Sequence, residues 1–143
     1  MVFTRPKKVI FYEKPGCAGN GRQKELLKKY GVSFEVRSMI SNKWDKPTLE
    51  AFFEGLSKEE IYNPFATKIK EGKFDPNAYT KEELIEQMLK EPLLIKRPLI
   101  EVDDVKLCGF DIAKLNALLE IDMPVPKDIN ACLSSDKCEE HNH

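Results

Sequence analysis

The segment KVIFYEKPGCAGNGRQKELLKKYGVSFEVRSM, residues 8–39, changes its pattern repeatedly along its length. Lys8 to Glu13 is short, apolar and rich in strand formers, the signature of a buried strand. Residues 14–21 contain Pro15, Gly16, Gly19, Asn20 and Gly21, which predicts a loop. Arg22 to Tyr30 holds good helix formers, and Gly31 ends them. Ser33 to Met39 alternates Phe34 and Val36 with Glu35 and Arg37, which predicts a half-buried strand. Strand, loop, helix and strand in this order predict two parallel strands joined by a right-handed crossover.

Further along the chain, the sequence becomes helical. Pro47 to Phe53 predicts a short helix, and Ser57 with Glu60 and Thr80 with Glu83 fit capping boxes. The second box opens a helix to about Lys90 with Leu84, Ile85, Met88 and Leu89 as its stripe. Trp44 is expected to anchor this region, and Phe52, Phe53 and Phe65 to lie in the core. Leu99–Val102 and Val105–Leu107 flank Asp103-Asp104, which predicts a hairpin. Asp111 can cap a last helix, Ile112 to Leu119. The whole is an α/β chain: a mixed sheet with a helical insert, about residues 44–91, between its second and third strands. One domain over residues 1–121 and a polar, flexible tail over 122–143 are expected.

Composition narrows the function. Of 143 residues, 41% are hydrophobic and 33% charged, which suits one compact core. With 23 basic and 24 acidic residues the net charge is -1, which argues against a general nucleic-acid binder. No stretch has the length or apolarity of a signal peptide or a membrane span. The expected compartment is the cytoplasm, where four cysteines point to reactivity, metal binding or burial rather than a disulfide scaffold.

Cys17 follows the first strand and precedes the first helix. The free N–H groups and partial positive charge of a helix start favour a thiolate there, and Lys14 and Arg22 add charge. The same N–H groups, with Asn20 in the loop, form a candidate site for an anion or a peptide carboxylate. A buried inert cysteine is the alternative, disfavoured because a glycine-rich turn is a poor place to bury a side chain. Arg97-Pro98 opens the third strand, and on pattern alone Arg97 is a solvated surface residue. Cys108 precedes Gly109; it is either a resolving thiol for Cys17 or, preferably, a core cysteine at a strand end. Cys132, Cys138, His141 and His143 are soft ligands in the tail, but their spacing matches no common metal finger, and a plain polar tail is preferred.

KVIFYEKPGCAGNGRQKELL followed much later by PLLIKRPLI resembles the arsenate reductase (ArsC)/Spx family over roughly residues 7–121. FYEKPGC, RQK and PLLI with RP are most similar to its nitrogenase-associated branch. The resemblance implies a thioredoxin-like, glutaredoxin-like fold, with Pro98 cis and facing the cysteine. It implies Cys17 as nucleophile and Arg97 as anion ligand, with Pro98 and Gly109 in the anion or glutathione site. It implies glutathione or a glutaredoxin as reductant and co-substrate, with no bound cofactor. The branch also implies an alternative, a non-catalytic protein that binds nitrogenase-system proteins. Three departures matter. The reductases have Cys-x3-Arg, whereas Cys17 to Arg22 is Cys-x4-Arg; the added residue either rotates the arginine by about 100° or lengthens the loop. Their insert arginine has only Lys68 and Lys70 to stand for it, and lysine lacks the bidentate fork. Their arginine after the fourth strand is replaced at Gly109-Phe110. These losses count against efficient arsenate reduction, and Asn20 in place of a second cysteine rules out a local Cys-x-x-Cys switch.

Overall fold

A computed structural model describes residues 7–125. Four strands form one sheet: β1 (Val9–Glu13), β2 (Glu35–Ser38), β3 (Leu99–Val102) and β4 (Val105–Cys108), in the order β2-β1-β3-β4. β1 runs parallel to β2 and antiparallel to β3, and β3 pairs antiparallel with β4. The helices are α1 (Ala18–Lys29), α2 (Lys46–Ala51), α3 (Thr67–Lys70), α4 (Lys81–Lys90) and α5 (Ile112–Leu119). Helices α2 to α4 and three 3-10 turns lie between β2 and β3 as an insert.

Because side chains alternate across a strand, the sheet divides two cores. Val9, Phe11, Ile100, Val102 and Leu107 face α1 and α5, packing on Leu26, Leu27, Ile112 and Leu115. Ile10, Tyr12 and Leu99 face the insert, packing with Phe52, Phe53, Leu84, Ile85 and Met88. Trp44 ties the insert down: its ring lies 4.9 Å from that of Tyr12 and 5.8 Å from that of Phe52. Its indole N–H donates to the Met39 carbonyl at 2.9 Å.

Several expectations need correction. Residues 18–21 are not loop; α1 begins directly after Cys17. Edge strand β2 is not half-buried, because Phe34 reaches the core from just before it while Val36 stays exposed. The capping box of Ser57 and Glu60 forms, yet carries only a 3-10 turn, Lys58–Glu60. Helix propagation needs several further residues, and Pro64 turns its predecessor toward extended backbone first. Phe65 is 42% exposed rather than core. Helix α3 has no counterpart in the sequence reading. The core also runs past residue 121: Met123 is buried, and its backbone exchanges two hydrogen bonds with the Asn116 amide, at 2.8 and 3.1 Å.

Candidate functional site

β1 delivers the chain to one end of the sheet, and Lys14 to Cys17 turn it back into α1. Cys17 is the N-cap residue, with extended backbone (φ -75°, ψ 119°). Its N–H donates to the Lys14 carbonyl at 3.1 Å, and its carbonyl accepts from Gly21 N–H at 3.0 Å. The first-turn amides of α1, with their positive dipole end, therefore lie beside the Cys17 sulfur's own residue. Cys17 is buried, 5% exposed, against the expectation that this turn is a poor place to bury a side chain; Lys14 is buried as well.

Asn20 corrects the anion-site expectation. It is fully buried; its Oδ1 accepts from Lys14 N–H at 3.0 Å and its Nδ2 donates to Gln23 Oε1 at 2.9 Å. Both ends of the amide brace the turn that carries Cys17, so Asn20 is out of reach of a ligand. Arg22 lies five residues after the N-cap. Because the helix already starts at Ala18, the additional residue relative to Cys-x3-Arg falls inside it and does not lengthen the loop. Five steps of about 100° leave Arg22 roughly 140° round the helix axis from Cys17, and Gly21 takes the aligned place.

The other half of the site comes from the start of β3. The register pairs Tyr12 with Leu99, so Arg97-Pro98 continues toward the end of the sheet that carries Cys17. The Arg97–Pro98 peptide is cis. Arg97 is not a surface residue: it is 1% exposed, the largest fully buried side chain in the protein's described residues. Gly109 is tied to this proline. Its N–H donates to the Pro98 carbonyl at 2.8 Å, and at φ +93° a Cβ would stand 3.0 Å from Lys96 Cε. That φ lies in a region L side chains rarely adopt, so the position favours glycine, and the Lys96 side chain lies close over it. Cys108, at the end of β4, donates its thiol to the Glu60 carbonyl at 3.7 Å. Burial, with a smaller push from Glu60 against the pull of Lys96, raises it to about 12.

The insert closes this end. Asn63 N–H donates to the Leu94 carbonyl at 2.8 Å and Lys96 N–H to the Ile61 carbonyl at 3.0 Å. These bonds clip residues 61–63 to the chain entering Arg97. Between them is a cavity of about 220 Å³ walled by Glu59, Tyr62, Asn63, Phe65, Lys96 and Arg97. Neither insert lysine of the sequence reading lines it; Lys68 is paired with Glu91 at 2.6 Å. Asn63, Tyr62 and Lys96 line this cavity without leaving a trace in the sequence, because a lone asparagine, tyrosine or lysine carries no motif. Cys132, Cys138, His141 and His143 lie outside the described residues. Among the described residues no group of three or more His, Cys, Asp or Glu side chains is placed to hold a metal ion, and no helix is long and apolar enough to cross a membrane.

Comparison with known proteins gives this arrangement its relatives. The chain is 39% identical over 126 residues to an uncharacterized 15.7 kDa protein in the draG 3' region of Rhodospirillum rubrum, covering 88% of each protein. An ArsC family related structure from Bacteroides fragilis superposes with a TM-score of 0.68 at 24% identity, covering 80% of this chain and 99% of that one. An arsenate reductase structure from Vibrio cholerae superposes at 0.64 with 20% identity, over 82% of this chain and 100% of that one. At those identities the two structures share the fold, which is thioredoxin-like. The ArsC family model matches residues 12–118, a span that runs from β1 through the whole insert to α5, and the chain therefore belongs to the ArsC family.

Proposed function

We propose that this protein is a thiol–disulfide oxidoreductase of the arsenate reductase type, with Cys17 as nucleophile and glutathione or a glutaredoxin as its partner. The observation that carries the reading is the position of Cys17 as N-cap of α1, at the sheet end reached by Arg97 and cis-Pro98. The Cys17 thiolate attacks one sulfur of a disulfide; that S–S bond breaks, a mixed disulfide forms on Cys17, and the leaving thiolate takes a proton. A second thiol attacks the mixed disulfide and restores Cys17. Cys108 is a poor resolving group because it stays protonated at neutral pH, so the resolving thiol comes from glutathione or glutaredoxin. This chemistry suits the cytoplasm, where such thiols are kept reduced. Arsenate is a weak substrate on this reading: Arg22 is turned away from the position aligned with Cys17, and neither Lys68 nor Gly109 replaces the missing arginines.

Glutathione-dependent reduction of 2-hydroxyethyl disulfide, with no other oxidoreductase added, tests the proposal. Turnover in the wild type that disappears in Cys17→Ser is the expected result. Turnover that persists in Cys17→Ser sinks it. The alternative, a non-catalytic protein that binds nitrogenase-system components, is favoured by the same displaced Arg22 and lost arginines. It expects no turnover, and partner capture that Cys17→Ser leaves intact.

A further inference from the structure

The sheet ends on an open edge at β2. This strand is outermost in the order β2-β1-β3-β4, and among the described residues no strand lies beyond it. Just past its end, Met39 N–H donates to the Glu13 carbonyl at 2.8 Å, so the backbone of Met39 faces β1. Backbone groups alternate in direction along a strand. Arg37 and Glu35 therefore face β1 as well, and the N–H and C=O of Val36 point away from the sheet. Outward groups on such an edge are a template for one more strand.

The side chains of β2 restrict which strand can join. Glu35 and Arg37 project from one face and Val36 from the other. All three are exposed, Val36 at 42%. Val36 shares its face with half-buried Phe34, which packs on the core beneath α1 and α5. On the opposite face Glu35 and Arg37 pair with each other. The triplet Glu35-Val36-Arg37 is complementary to itself when laid antiparallel about Val36. Glu35 then stands opposite Arg37 of a second copy, and Arg37 opposite its Glu35. The two Val36 residues exchange a pair of backbone hydrogen bonds, because both point outward. A parallel copy in register would set like charges side by side. The other sheet edge lacks this property: Val105-Lys106-Leu107-Cys108 of β4 holds one lysine and no acid, the kind of edge charge that discourages pairing.

We infer that β2 is a self-association edge, on which a second copy of this chain docks antiparallel about a two-fold axis at Val36. The two sheets then continue into one another through their β2 strands. The contact is short, so the dimer is weak and depends on concentration. Its charge pairs lie at the surface, so added salt loosens it. The pairing does not depend on the chemistry of Cys17.

Sedimentation velocity of the full chain, kept reduced and run over a concentration series, tests the inference. The mass is expected to rise from the 16.5 kDa of one chain toward twice that value. Glu35→Arg and Arg37→Glu each set like charges opposite one another in the self-pair. Each is expected to weaken association by about tenfold or more. Both positions are exposed, and circular dichroism checks that the fold is kept. Mixed in equal amounts, the two variants present complementary edges, and the mixture is expected to regain the dimer mass, which a misfolded variant could not do. A wild type that stays at the mass of one chain throughout the series overturns the inference. So does a dimer that both reversals leave intact, or a mixture of the two variants that stays monomeric.

Discussion

Two cysteines at the same end of the sheet are prepared for different fates. Cys108 donates a hydrogen bond to the Glu60 carbonyl, and burial pushes its thiol up to about 12. Cys17 caps a helix whose amides welcome negative charge. Iodoacetamide near neutral pH should therefore label Cys17 and leave Cys108 unlabelled in the native protein, with both labelled after unfolding. Peptide mapping checks this, and native labelling of Cys108 at a comparable rate would contradict the geometry. The place of Cys17 between the first strand and the first helix was legible, because Pro15 and Gly16 mark the turn that separates them. Arg97 was legible only through resemblance, since nothing in Lys96-Arg97-Pro98 reveals that the arginine is buried. Asn20 was misjudged because its neighbours made the segment look like loop, whereas it is helical and its side chain ties the turn before Cys17 to the first turns of α1.

At the scale of elements, the hairpin, α4 and α5 were the easiest to read, because each carries its own boundary chemistry. Thr80 accepts from Glu83 N–H at 3.1 Å while the Glu83 carboxylate accepts from Thr80 N–H at 2.9 Å. Asp111 accepts from Lys114 N–H at 3.1 Å. Removing the first cap in Thr80→Ala should cost about 1 kcal/mol of folding stability, measured by denaturant unfolding. The box at Ser57 looks equally strong in sequence, yet only a single 3-10 turn follows it. A cap satisfies the first donors; length comes from the apolar stripe behind it, which α4 has and residues 58–63 lack. Strand β2 was placed correctly but its faces were not, because alternation does not tell an edge strand from an inner one.

At the scale of the whole molecule, one sheet serves two cores, and each face is tested separately. Phe11 packs toward α1 and α5, and Phe53 belongs to the insert core; both are fully buried. Truncating either to alanine should cost about 3–5 kcal/mol, read from denaturant midpoints. Acid should weaken the fold through paired carboxylates. Asp45 is held below its ordinary 3.8 by hydrogen bonds from Thr48, and Glu82 below its ordinary 4.5 by the bond from Lys46. Glu60 is held below 4.5 by the backbone and hydroxyl of Ser57. Depressed carboxylates contribute stability that is present above the unfolded values and lost as pH falls through the folded ones. Thermal midpoints should therefore be flat near neutrality and fall below about pH 4.5, with the largest loss in the insert where these groups sit. That same insert carries the chain's single tryptophan, clasped between Tyr12 of the sheet and Phe52 at the end of α2's last turn, its C-cap residue. The protein thus has a built-in optical gauge: a red-shifted emission from Trp44 reports the insert lifting off the sheet, and its timing against circular dichroism tells whether the two cores let go together.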